Sequence, residues 1–242
     1  MPDVIERGLP NAVIYDLSLA SQVTITLPSA STWSSELHWH ETHTEYLKVI
    51  KGSIKVRLGR TEQIVTATET SQPEIKVDRF VWHEWKRATS DGEDVIVVER
   101  TDPGDGDKAI FFWNLNGVIL NAGKLFDDHR SLGSYLSERF RGLIIDLWVT
   151  FNLFIIFRSL DNFPVFINVA NTLPTAIYLH NTTIQKALSI ADWAASHFIL
   201  GLASWFGHIL GIRPVRPEYT PAKNYALWLE RQRDQSGREK IA

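Results

Sequence analysis

No cysteine occurs among the 242 residues, and that absence alone removes disulfides, thiolate nucleophiles and zinc–thiolate sites. Histidine and carboxylate remain as the only strong metal ligands. A dominant charge is lacking too: 25 Lys and Arg stand against 28 Asp and Glu, a net charge of -3, and a pI near 6.2 gives no basic field. Lys and Arg nowhere interleave with aromatic residues as a nucleic-acid surface requires, so no nucleic acid is expected as a partner. The opening MPDVIERGLP lacks the basic region and apolar core of a secretory signal. The expected location is therefore intracellular and cytoplasmic, not secreted. The composition is not that of a disordered chain, with 44% hydrophobic and 22% charged residues, which suits one sizeable domain or two small ones.

What is present concentrates in Leu37 to Gly52, LHWHETHTEYLKVIKG. The pattern predicts two strands joined by a turn, with His38 and His40 two apart and therefore on one face. Glu45 follows across a short loop and shares a face with Leu47 and Val49, and Gly52 is expected to make a hairpin into Ser53 to Leu58. Asp78 to Arg87, DRFVWHEWKR, reads as a further strand with Val81, His83 and Trp85 on one face. Imidazoles and a carboxylate held by a sheet, with coordination positions left open, suit a divalent metal: Fe(II) first, with Mn, Ni or Zn as alternatives. A metal-free barrel using the same groups as a hydrogen-bond network is the competing explanation. His43, in the loop or on the opposite parity, reads as a solvated loop histidine or a substrate contact.

Ala12 to Leu17, Gln22 to Leu27, Ser53 to Leu58 and Asp94 to Thr101 also read as strands. Strands at about ten-residue intervals, separated by turn signals, argue for a sandwich or barrel. The histidine stretch resembles the first motif of the cupin family, G-x5-H-x-H-x(3,4)-E-x6-G, with His38, His40, Glu45 and Gly52 in place and Thr32 at the leading Gly. The second motif keeps its histidine as His83, while Asp78, Phe80 and Arg87 stand at its Pro, Gly and Asn positions. The resemblance covers roughly residues 10 to 105. It implies a small antiparallel jelly-roll β-barrel with a metal at its centre, and a homodimer paired through the outer sheets.

The break at Thr101 to Asp107, TDPGDGD, places a boundary between a barrel over 1–108 and a C-terminal extension over 109–242. The expected class is therefore mainly β with an α-helical C-terminal extension, the latter a hydrophobic helical hairpin. Its apolar segments, 135–158 and 183–212, are long enough to cross a bilayer at about 1.5 Å per residue. Asp146, Asn152, Asp192, His197 and His208 oppose that reading, since an ionised group at mid-membrane is costly. A soluble pair packed on the barrel, with Gln185, Ser189, Asp192 and Ser196 as one polar stripe, and a pair lying in the membrane interface are the other two readings. The join between the segments, Ser159 to Asn181, reads as a loop capping the barrel mouth; Thr182 or Thr183 reads as a helix cap, and Ala222 to Asp234 as a short amphipathic helix.

A single barrel followed by a hydrophobic helical tail with FFW-N-L-N-G and PEYT stretches, here Phe111 to Gly117 and Pro217 to Pro221, is similar to fungal proteins of natural-product pathways. That similarity implies a small lipophilic substrate, aromatic or polyketide-like. The leading expectation is a mononuclear non-haem iron oxygenase with His38, His40, Glu45 and His83 as ligands. A Lewis-acid isomerase or cyclase on a similar substrate, and a non-catalytic small-molecule-binding module at a membrane, are the alternatives. Trp85, Val81, Leu47, Val49, Ile54 and Val56 are the expected pocket residues. Glu45 and, on the last strand, Glu99 are the candidate catalytic carboxylates.

Overall fold

The computed structural model describes residues 2–19, 21–126, 137–168 and 182–239. Its strands are β1 (Val4–Arg7), β2 (Val13–Asp16), β3 (Val23–Leu27), β4 (His38–Trp39), β5 (Thr44–Lys51), β6 (Ser53–Leu58), β7 (Thr61–Thr66), β8 (Glu74–Val77), β9 (His83–Arg87), β10 (Val95–Asp102) and β11 (Phe163–Pro164). The helices are α1 (Asp107–Asn121), α2 (Glu138–Ser159), α3 (Thr182–Ile209) and α4 (Ala222–Glu239), and a 3₁₀ turn spans Ala122–Phe126. Asn181, Tyr135 and the join from 169 onward lie outside the described residues, as do the side chains of Thr182, Thr183 and Gln185.

All strand pairs are antiparallel and form two sheets, ordered β1-β2-β3-β10-β5-β8 and β11-β4-β9-β6-β7. From β3 to β10 the chain changes sheet at every connection except β6–β7, the path of a jelly roll. Strict alternation produces this: β3, β5 and β10 each bury every second residue, so each sheet turns one apolar face inward. Leu47, Val49, Ile54, Val56, Val97 and Ile25 are fully buried where these faces meet. Each such side chain contributes about 1.5–3 kcal/mol by leaving water. At the free edge of the second sheet, β7 is exposed and polar, which discourages pairing with another chain.

Gly52 does not make the expected hairpin. β5 belongs to the first sheet and β6 to the second, so Gly52 turns the chain across the core instead. Its φ is +78°, and a Cβ there would lie 2.9 Å from Val95 Cγ2. Gly52→Ala is therefore expected to lower stability by about 2 kcal/mol, read as a lower urea midpoint; an unchanged midpoint would show that the corner yields easily.

The strand expected over 78–87 is also shorter, running only from His83 to Arg87. Residues before it form a turn in which Phe80 takes φ 64° and donates its N–H to the His40 carbonyl at 2.7 Å. Phe80 stands at the motif's glycine position, so the left-handed backbone is kept although the residue is not.

The helices do more than extend the chain. α1, unanticipated as a helix, is buried along Ala109, Ile110, Phe111, Phe112 and Trp113 and shares one hydrophobic core with the barrel. The FFW-N-L-N-G and PEYT stretches meet: Asn114 Nδ2 donates to Thr220 Oγ1 at 2.9 Å, and Asn114 Oδ1 accepts the Arg216 N–H at 2.8 Å. Gly117 admits the Tyr219 ring, which an alanine Cβ would approach to 2.3 Å. α3 packs against α2 and turns Asp192, Ser196, Leu200 and Ala203 inward. The inner part of the expected polar stripe thus faces protein, with Ser196 Oγ donating to the Pro164 carbonyl at 2.6 Å. Phe163 and Pro164, in the expected loop, add an edge strand to β4, a position in a sheet where proline is tolerated. Glu138–Ser159 and Lys186–Ile209 are long and apolar enough to cross a membrane, with 17% and 22% of their apolar stretches buried.

Candidate metal centre

The pairing of two strands builds the centre. β4 meets β9 with His38 opposite His83, and His40 follows as the chain leaves β4. Glu45 comes from the facing sheet, as the second residue of β5. One ligand atom from each of His38, His40, Glu45 and His83 falls within 4.8 Å of the others, and all four residues are buried. The imidazole centroids are 4.2 Å (His38–His83), 5.0 Å (His38–His40) and 5.2 Å (His40–His83) apart. Glu45 Oε2 lies 2.8 Å from His83 Nε2 and 3.7 Å from His40 Nε2.

The orientation of the rings tests whether a cation fits. Each Nδ1 faces a backbone carbonyl: His38 that of Glu36 at 2.8 Å, His83 that of Val81 at 2.9 Å, and His40 that of Asp161. A carbonyl only accepts, so Nδ1 carries the proton in each ring and Nε2 presents a lone pair. All three lone pairs converge on a carboxylate, which also presents lone pairs. His40 Nε2 is buried without any hydrogen-bond partner. Lone pairs brought together in a dry site are stabilised by a cation among them, and the residues therefore fit a divalent metal. Burial, followed by the neighbouring rings His83 and His40, holds His38 well below the usual histidine range, and burial also lowers His40. Both favour the neutral, ligating form.

Two residues beyond the motif complete the site. Lys108, in the first turn of α1, places Nζ against Glu45 Oε1 and 2.9 Å from Glu99 Oε2. Burial acts to lower its pKa, but Glu45 and Glu99 outweigh it and hold the ammonium well above its ordinary value. Burial acts to raise Glu45, yet Lys108, then His40 and His83, keep it well below the usual carboxylate range. Glu99 has the same neighbour but is raised, by burial first and by Glu45; its Oε1 accepts from Trp85 Nε1 at 2.7 Å. No alternation or motif points to Lys108. The only signal is a lone cation opening an apolar run, KAIFFW.

Asp161, just past α2, ties the helices to the metal loop. Beyond the carbonyl bond to His40, its carboxylate accepts the N–H groups of Glu41, Thr42 and His43 at 2.8, 2.9 and 3.0 Å. Its φ of 54° lies in the left-handed region. His43 is not the expected solvated histidine: it is buried, with Nδ1 2.7 Å from Asp161 Oδ2 and Nε2 3.1 Å from Asp105 Oδ2. Burial opposes its charging, but Asp105 and Asp161 prevail and raise it to about 9. Asp161→Ala leaves three loop N–H groups without acceptors. It is expected to cost about 2–3 kcal/mol and to weaken metal retention about tenfold through His40. Thermal unfolding and chelator competition read the two effects separately, and intact retention would show that the loop holds its shape without Asp161.

A cavity of about 300 Å³ opens beside the centre. His38, Glu45, Glu99 and Lys108 line it together with the aromatic rings of Trp33, Phe111, Phe112 and Phe157. The expected pocket residues lie elsewhere. Leu47, Val49, Ile54, Val56 and Trp85 are sealed in the barrel core, and Val81 is half-buried against it; none of the six lines this cavity. Alternation identified the inward face correctly, but the sheets close over that face and the space opens where α1 and α2 cover the barrel end. A more polar depression of about 650 Å³ lies around Gly52, at the far end of β5 from Glu45. Among the described residues it holds no ligating cluster.

No family model matches the chain, and no curated protein matches it. Solved structures do. A predicted oxalate decarboxylase of Thermotoga maritima is 16% identical over 42% of this chain and 90% of its own, with a TM-score of 0.32. The cumin domain of Drosophila melanogaster CENP-C is 12% identical over 40% of this chain and 72% of its own, at 0.30. The capsular polysaccharide assembling protein CapF of Staphylococcus aureus is 9% identical over 42% and 28%, at 0.32. Scores this low carry no argument, so fold and chemistry rest on the chain's own geometry: two facing antiparallel sheets with a buried three-histidine, one-carboxylate cluster between them, followed by helices.

Proposed function

We propose that His38, His40, Glu45 and His83 hold a divalent metal, Fe(II) by preference, and that the chain is an oxygenase of the cupin type acting on a small lipophilic, aromatic or polyketide-like metabolite. The observation that supports this most is the convergence of three Nε2 lone pairs on Glu45 with every Nδ1 committed to a backbone carbonyl. His38, His40, Glu45 and His83 would hold the ion, and Fe(II) bound there would supply the one-electron chemistry that dioxygen requires.

The chain's own residues have three tasks in this reading. The carbonyls of Glu36, Val81 and Asp161 fix the rings. Lys108 orients the Glu45 carboxylate and compensates its charge. The aromatic walls exclude water and receive an apolar ligand. Glu99, its carboxyl raised by burial and open to the cavity, is the group that would take or return a proton.

The Glu99–Lys108 pair also favours a second reading, an isomerase or cyclase in which the metal polarises a substrate carbonyl and Glu99 moves the proton. Elemental analysis of protein purified without chelator, followed by oxygen-consumption assays, separates the two. Iron near one per chain with oxygen uptake supports the oxygenase. Another metal without oxygen uptake supports the second reading. Absence of binding after reconstitution with Fe(II), Mn(II), Ni(II) and Zn(II) would sink both.

A further inference from the structure

The cavity has a charged end that the metal ligands do not explain. Arg7, the last residue of β1, lines it together with Tyr15 and Trp33. Arg7 Nη2 donates to the Tyr15 hydroxyl at 3.0 Å, and the same oxygen accepts from Trp33 Nε1 at 2.9 Å. Tyr15 is no counter-ion, because burial pushes its hydroxyl up to about 12 and keeps it neutral. Among the described residues Arg7 forms no ion pair, and its Nε is buried without a hydrogen-bond partner. A guanidinium offers a planar fork of donors shaped for a carboxylate. Here Nη2 is committed to the Tyr15 hydroxyl, and among the described residues no carboxylate pairs with the guanidinium that lines the cavity.

Charge balance leads the same way. Of the charged groups that line the cavity, Glu36, Glu45 and Glu99 outnumber Lys108 and Arg7 by one, so a divalent ion leaves an excess of one positive charge. A buried excess of that kind is relieved by an anionic ligand.

We propose that Arg7 anchors the carboxylate of an aromatic acid bound in this cavity, with its ring among Trp33, Phe111, Phe112 and Phe157. The inference rests on reading the cavity as the substrate site. It narrows the lipophilic substrate of that reading to a carboxylate-bearing one and makes Arg7 a binding residue remote in sequence from the ligands.

Calorimetric titration of the full chain with 2-naphthoate and its neutral isostere 2-naphthamide tests this, on metal-loaded and chelator-treated protein. Wild type is expected to prefer the acid by about tenfold or more, the size of one charge-assisted contact. Arg7→Gln is expected to bring the two probes level while leaving naphthamide affinity and metal content unchanged, and Arg7→Lys to keep part of the preference. Circular dichroism of each variant confirms the fold. A preference for the acid that survives Arg7→Gln, or no binding of either probe to wild type, overturns the inference. An Arg7-dependent preference in protein that takes up no metal upholds it while the metal reading fails, so the two failures are distinguishable.

Discussion

His83→Ala is expected to abolish stoichiometric metal retention. His83 is fully buried, its Nδ1 is committed to the Val81 carbonyl, and its Nε2 lies 2.8 Å from Glu45. Losing a residue that merely orients a ligand costs roughly 10–100-fold in affinity, so losing a ligand should cost at least about 100-fold. Metal content near one equivalent should fall to background after dialysis, with the secondary structure intact. His40→Ala should do the same, because His40 Nε2 is the buried lone pair left without a protein partner. Equal metal content in wild type and both variants would place any bound metal elsewhere. The cluster would then be a hydrogen-bond network.

Lys108→Met is expected to show the largest loss of stability. Its ammonium separates two buried carboxylates, Glu45 and Glu99. Removing one partner from a buried charge group typically costs about 3–5 kcal/mol, because the remaining charges stay in a dry site uncompensated. At about 2–3 kcal/mol per M of urea the midpoint should fall by about 1–2 M. The sign of the pH dependence follows. Without Lys108 both carboxylates favour the protonated form in the folded chain, so their folded pKa values rise. Each then destabilises above its unfolded pKa, and the deficit should narrow as pH is lowered from about 8 to about 5. Adding Glu99→Gln should recover part of the loss, the coupling expected of groups in contact. Metal should also reduce the deficit, since a cation at Glu45 supplies what Lys108 no longer does. A single variant within about 0.5 kcal/mol of wild type would show that solvent reaches the pair.

Much of the centre was legible because it is local. His38 and His40 share a short stretch with Glu45, and two-residue periodicity sets which side chains face inward whatever surrounds them. His83 was legible by its motif spacing, although the strand before it proved to be a turn at Phe80. Glu99 fell on the inward parity of β10, and the structure places it there. Lys108, Asp161 and Arg7 were not legible. Each reaches the centre or its cavity from a segment far away in the chain, and nothing in its local sequence marks it out. The pocket residues went astray for a related reason. Inward parity does not distinguish a side chain sealed between two sheets from one that meets an opening.

The amino-acid sequence by itself therefore determined the class of the fold, its inward faces and the four side chains of the buried His/Glu cluster, since those depend on strand alternation and motif spacing. Only the tertiary structure decided that Gly52 is a corner between sheets, that α1 supplies the cation beside Glu45, and that the end of α2 orients His40 through a backbone carbonyl. It also decided where the cavity opens. These features arise when helices close over a barrel end and bring together groups far apart in the chain, His40 and Asp161 by 121 positions; no local periodicity encodes contacts of that range.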